Sequence, residues 1–71
     1  MDGYNMQVIL WQGNIPKIDR TPVEIRNEED GTAMIKTRAQ EEANKNKLEV
    51  STALYLGERL ISSFRALPSL A

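Results

Sequence analysis

The stretch ALYLGERLI, Ala53 to Ile61, decides how the second half of this chain is interpreted. At 100° per residue its apolar side chains share one arc with those around it, so the spacing predicts an amphipathic helix. Gly57 lies near the centre of that arc, although glycine costs about 1 kcal/mol relative to alanine inside a helix. The arc comprises Val50, Ala53, Leu54, Leu56, Gly57, Leu60, Ile61, Phe64 and Leu67.

Three interpretations of Gly57 are open within that helix. A glycine in an apolar stripe lets a second backbone approach closely, which is the interpretation we favour. Alternatively, Gly57 makes room for Trp11 or Phe64 within one chain. A third interpretation ends the helix at Leu56, but the following segment ERLISSF continues the helical period.

The segment TRAQ, Thr37 to Gln40, has the pattern of a capping box, in which the two end side chains satisfy each other's backbone amides. Neither glycine nor proline follows until Gly57, and Pro68 marks the end. The sequence therefore predicts one long helix over Arg38–Ala66, within a helical part spanning 38–67. The polar segment ANKNK at 43–47 leaves open a break into two helices or a short turn.

The first half favours strands. MQVILWQ, Met6 to Gln12, is rich in strand formers and places Met6, Val8 and Leu10 on one face. GNIPKIDRTP is read as an irregular connection because of its prolines and turn formers. PVEIRNEEDGTAMIKT is read as a hairpin that turns at Asp30-Gly31. The predicted fold class is α+β: an antiparallel sheet of about three strands over 5–36, then one long C-terminal α-helix, in a single domain of residues 1–71.

Composition excludes several kinds of chemistry. The 71 residues include no cysteine and no histidine, so disulfides, thiolate zinc sites and the usual nucleophile–base pairs cannot form. The acidic segment NEEDG is read as a solvated turn and not as a cation site. We assign no catalytic residue, no cofactor and no metal ligand, and we expect a protein that is not an enzyme.

The charge balance and hydropathy also restrict the partners. Nine basic residues against ten acidic residues give a net charge of −1, so nucleic acid is not favoured as a partner. No apolar run approaches the roughly 18–20 residues needed to cross a bilayer, so a membrane partner is not expected. We expect a location in the cytoplasm or within a macromolecular assembly such as a virion.

The function predicted from these features is a small non-enzymatic subunit that acts through protein–protein contacts. A hydrophobic core of this size rarely contributes more than about 3–5 kcal/mol to the stability of the fold. Without disulfides or metals, association with another chain is the remaining way to add stability. The expected partner is the chain itself, as a homo-oligomer, or a larger assembly for which it is a structural or accessory component. A phage origin fits this size and composition. The predicted interface residues are Ile9, Trp11, Leu48, Val50, Leu54, Tyr55, Gly57, Ile61 and Phe64.

An alternative function is a regulator or inhibitor that binds a macromolecule or a small charged ligand at a subunit interface. Its contact residues would be Arg20, Arg26, Lys36 and Arg38. A DNA-binding regulator is a further and less favoured alternative.

Overall fold

The computed structural model describes residues 3–69 as two β-hairpins joined by one helix. All the strand pairs are antiparallel, and they form one sheet in the order β2-β1-β3-β4. The elements in chain order are β1 (Tyr4–Gln12), β2 (Ile15–Val23), α1 (Glu28–Asn46), β3 (Glu49–Leu56) and β4 (Arg59–Ala66).

Both hairpins close through two-residue turns that begin with glycine. Gly13 has φ +66° between β1 and β2, and Gly57 has φ +62° between β3 and β4. A positive φ at the first turn residue but not at the second belongs to the type II′ turn, whose twist matches that of the flanking strands. Gly57 is thus a hairpin turn residue, and all three helical interpretations of it are wrong.

The helix begins where its sequence supplies a cap. The Asn27 side chain accepts a hydrogen bond from the Asp30 amide at 2.9 Å, and three acidic residues occupy the first turn. This arrangement satisfies one free backbone donor and places negative charge at the positive end of the helix dipole. The helix ends at Asn46, and the following C-cap residue Lys47 adopts the left-handed conformation with φ 58°.

The core lies between α1 and one face of the sheet. The helix presents a stripe of residues four apart, Gly31, Ile35, Ala39 and Ala43, all of them buried. Small residues in this stripe let the helix lie close to the strands. The buried Thr52 hydroxyl ties the two layers together, because it donates to the Ile35 carbonyl at 2.8 Å. The sheet side of the core is formed by Met6, Val8, Val50, Leu54 and Ala66.

A β-bulge in the second hairpin sets the faces of β4. Tyr55 pairs with Leu60 and Leu54 pairs with Ser62, so Ile61 is an extra residue. Because side chains alternate along a strand, this insertion reverses the faces of every residue after it. Phe64 and Ala66 consequently point towards the helix.

Strand β2 is an edge strand beyond the helix, and most of it is exposed on both faces. Gln12 and Ile15 form the pair next to the two-residue turn, so the backbone nitrogens of Pro16 and Pro22 point away from β1. Proline has no N–H to donate there. This edge is therefore poorly suited to pairing with another strand.

The predicted fold class is wrong in its architecture. Residues 49–66, predicted as the long C-terminal helix, form the hairpin β3–β4 instead. The bulge explains why the spacing of apolar residues in this hairpin resembles that of a helix. Because the bulge shifts the strand alternation at Ile61, apolar residues fall at 54, 60, 61 and 64, which is close to a helical period. The capping box at Thr37 is also wrong, because Thr37 lies within α1.

The first half is corrected in the same way. The strand over Met6–Gln12 is confirmed, with Met6 and Val8 buried on one face. The predicted irregular connection is strand β2, and the predicted hairpin at Asp30-Gly31 is the start of α1. The short turn left open within 43–47 does occur, since α1 ends at Asn46, but strand β3 follows it and not a second helix.

Candidate interaction surface

The sheet has one face under α1 and one face that no described segment covers. The helix packs on β1, β3 and β4, and residues 67–69 turn back onto the helix through hydrogen bonds with Gln40 and Asn44. We call the uncovered side the open face. By strand register it consists of Asn5, Gln7, Ile9 and Trp11 on β1; Pro16, Ile18, Arg20 and Pro22 on β2; Glu49, Ser51, Ala53 and Tyr55 on β3; and Leu60, Ser63 and Arg65 on β4.

The open face carries large apolar side chains in contact with solvent. Ile18 is 57% exposed and Leu60 is 53% exposed. Ile9, Trp11 and Tyr55 are half-buried among their strand neighbours. The Trp11 indole N–H donates to the Ser51 hydroxyl at 3.4 Å, which ties the side chain to the neighbouring strand β3. The face therefore offers aromatic and aliphatic area already held in place.

The charged groups of the open face are paired within it. The Arg20 guanidinium lies 4.3 Å from the centroid of the Tyr55 ring. The Arg65 guanidinium donates to the Glu49 carboxylate at 2.6 Å. A cation held over an aromatic face and a local ion pair both reduce the cost of covering these charges.

A depression of about 400 Å³ lies on the open face and is lined by residues of β1, β3 and β4. Its lining includes the small side chains of Ser51, Ala53 and Ser63 together with Tyr55 and Leu60. The open face therefore combines exposed apolar side chains with a shallow recess.

The structure distributes the predicted interface residues over several environments. Ile9, Trp11 and Tyr55 lie together on the open face. Val50 and Leu54 are buried beneath the helix, and Ile61 and Phe64 are half-buried against the same core. Leu48 lies in the connection between α1 and β3, and Gly57 lies in the turn between β3 and β4.

The four predicted ligand contacts are not brought together. Arg20 is on the open face, whereas Lys36 and Arg38 are on the helix at the other side of the sheet. Lys36 lies 6.0 Å from the Phe64 ring centroid, and Arg38 pairs with a glutamate one turn later at 3.5 Å. Arg26 precedes the helix and pairs with Asp30 at 4.0 Å.

Sequence reasoning missed the open-face residues of β2 and β4. The sequence interpretation places Ile18 in a connection, although Pro16, Ile18, Arg20 and Pro22 share the spacing of two that places residues on one face of a strand. It places Leu60 in the apolar arc of a helix. The signal that identifies its position is the Gly57-Glu58 pair between two runs of strand formers, which is the pattern of a II′ hairpin.

Residues 3–69 contain neither a metal-ligating cluster nor a membrane-spanning helix. No group of three or more acidic residues is placed to hold a metal ion there. No helix in that range is long and apolar enough to cross a membrane.

Comparisons of the chain with protein-family models, with curated protein sequences and with solved structures found no match.

Proposed function

We propose that this chain is a non-enzymatic subunit that works through protein–protein contacts with copies of itself, and that the open face is its contact surface. The observation that carries the proposal is the exposure of Ile18 and Leu60 beside Ile9, Trp11 and Tyr55 on a face without a covering layer. Soluble monomers rarely expose contiguous apolar patches larger than a few hundred Å².

The thinness of the fold supports the same proposal. One helix covers one side of the sheet, so the apolar residues of the other side contribute little to the core of a single chain. A hydrophobic core of this size rarely contributes more than about 3–5 kcal/mol to stability. Burial of a second apolar face adds to that stability. Aromatic residues such as Trp11 and Tyr55 are enriched in the centres of protein interfaces.

The test is the solution mass over a dilution series for two matched pairs of variants. Ile18→Lys places a charge on the open face, and Ile15→Lys places the same charge on the opposite side of β2, where Ile15 is 71% exposed. Leu60→Lys and Leu67→Lys form the second pair, because Leu67 is 65% exposed but lies after β4 and outside the open face.

We expect the wild-type chain to have a mass that is a multiple of the monomer and a melting temperature that rises with concentration. Ile18→Lys and Leu60→Lys should shift dissociation to higher concentration, while Ile15→Lys and Leu67→Lys should leave it unchanged. A wild-type chain that is monomeric at every concentration contradicts the proposal. Equal effects within each pair contradict the assignment of the contact to the open face.

A further inference from the structure

We infer that strand β2 opens away from β1 as a separate unit while the rest of the fold stays intact, and that the exposed edge of β1 then pairs with β1 of a second copy. The opening is a property of one chain and concerns an edge of the sheet, so it goes beyond the contact proposed for the open face. Three features support it: the isolation of β2, the composition of β1 and the chemistry of the outer edge of β2.

Strand β2 is held almost entirely by its ladder with β1. Within residues 3–69 it contacts β1 and no other helix or strand, and eight of its nine residues are exposed. Only Val23, at its end, packs against the core, and the Arg20 guanidinium lies over the Tyr55 ring. Segments with little buried apolar area and exposed backbone hydrogen bonds open at a lower free energy than the core. Opening of β2 therefore breaks one ladder and leaves the core under α1 in place.

Strand β1 is suited to pairing with another strand once β2 has left. Its sequence YNMQVILWQ contains no charged residue, no proline and no glycine. Short segments with this composition and high β-propensity are those that form cross-β contacts between chains. In the closed fold β2 pairs with β1 along its whole length and so occupies that edge. Two identical strands can pair antiparallel about a two-fold axis, so a second copy supplies a matching partner for the opened edge.

The outer edge of β2 differs from the edge that it covers. Pro16 and Pro22 remove two outward N–H groups, and Lys17 and Asp19 are exposed along the same strand. Proline and charged side chains on an edge strand are devices against pairing between chains. The closed chain thus presents a protected edge, whereas the opened chain presents the unprotected edge of β1. Strand β2 acts as a cover for β1.

The register of β1 allows the opening to be measured residue by residue. Gln12 and Ile15 form the hydrogen-bonded pair that closes the two-residue turn. Because hydrogen bonds alternate along a strand, the even-numbered residues of β1 bond to β2 and the odd-numbered residues bond to β3. The Gly57 amide donates to the Gly3 carbonyl, which continues the odd-numbered ladder. Opening of β2 therefore exposes every second amide of β1.

The first experiment is native-state hydrogen exchange at single amides, with each rate divided by that of an unprotected amide. We expect the amides of Met6, Val8 and Leu10 to exchange about tenfold faster, or more, than those of Gln7 and Ile9. Equal protection of the two sets would overturn independent opening, because both would then exchange only when the whole sheet unfolds. The protein is kept dilute, so that association through the open face does not mask the opening.

Gly13→Ala and Gly57→Ala form a matched pair of variants. Both place an L-residue at a positive φ in the first position of a two-residue turn, +66° in one hairpin and +62° in the other. Gly13→Ala should accelerate exchange of the even-numbered amides of β1 by about 5–30-fold, because opening of β2 releases the strain. Gly57→Ala should leave that rate unchanged, because opening of β2 does not release the β3–β4 turn. Equal acceleration by the two variants would overturn the inference.

Aggregation tests the pairing of opened β1 edges. Both variants are incubated at high concentration with thioflavin T, and we expect Gly13→Ala to form cross-β material earlier than Gly57→Ala. Equal onset, or earlier onset for Gly57→Ala, would overturn the pairing through β1, whereas the exchange experiment tests the opening by itself. Neither result bears on the open face, which the dilution series with the lysine variants tests separately.

Discussion

Substitution of Gly57 by alanine discriminates most sharply between the observed hairpin and a helix over the same residues. Gly57 has φ +62° at the first position of the β3–β4 turn. A left-handed conformation costs an L-residue about 1–2 kcal/mol. In the interior of a helix the same substitution would stabilise by about 1 kcal/mol, because alanine is the better helix former. The hairpin and the helix therefore predict effects of opposite sign.

The expected loss of stability in Gly57→Ala is large for a domain of this size. A core of this size supplies about 3–5 kcal/mol, so a loss of 1–2 kcal/mol removes a substantial part of it. For chains of 60–100 residues each 1 kcal/mol shifts the melting temperature by about 4–8 °C. We expect Gly57→Ala to melt roughly 5–15 °C below the wild type when the two are compared at one concentration.

Two companion variants make the assay specific to the backbone conformation. Glu58→Ala changes the neighbouring turn residue, whose φ is not positive, and should leave the melting temperature within a few degrees of the wild type. D-alanine at position 57, introduced by chemical synthesis, suits a positive φ and should not destabilise. An increase in stability for Gly57→Ala with L-alanine would refute the turn and restore a helix at this position.

Three further substitutions test the packing of the helix on the sheet. Gly31→Ala should destabilise the fold by about 1 kcal/mol, because an added Cβ would lie 2.5 Å from the buried Leu54 side chain. The cost of overpacking then exceeds the gain in helix propensity. A stabilised variant would show that this contact relaxes freely. Asn27→Ala should cost about 1 kcal/mol in thermal or urea unfolding through loss of the N-cap, and an unchanged midpoint would place the helix start elsewhere. Thr52→Val should cost about 1 kcal/mol by removing the hydrogen bond to the Ile35 carbonyl, and no loss in urea unfolding would mean that this bond contributes nothing net.

The sequence was informative where local preference and tertiary structure agree. The sequence predicts β1 because Val8, Ile9 and Trp11 favour strands and the alternation of this strand is undisturbed. The absence of cysteine and histidine bounded the chemistry without any knowledge of the fold. The end of the helix near Lys47 was signalled by a run of asparagine and lysine.

The helix start was missed because two signals compete at the same residues. NEEDG contains Asp30-Gly31, a frequent turn pair, and also an asparagine cap followed by three acidic residues. Glycine inside a helix is locally unfavourable, and it is accommodated here because Gly31 lies against Leu54 and Ile25, which only the assembled fold reveals.

The open face cannot be predicted when strands β2 and β4, and therefore their pairing with β1 and β3, are not identified. The bulge at Ile61 reverses the faces of the later residues of β4, and no local residue pattern marks such an insertion unambiguously. Because the sequence interpretation reads β2 and β4 as other structures, it cannot place Ile18 and Leu60 on the same surface as Trp11.

The most direct test of the open face as a contact surface uses Trp11, the single tryptophan of the chain. Its emission maximum and its quenching by acrylamide are measured alongside the solution mass from high to low concentration. We predict that Trp11 is shielded in the assembly, and that its emission moves to longer wavelength with increased quenching as the mass falls to that of a monomer. A mass that falls while the emission and quenching of Trp11 stay constant would contradict the account, because the contact would then lie away from the open face.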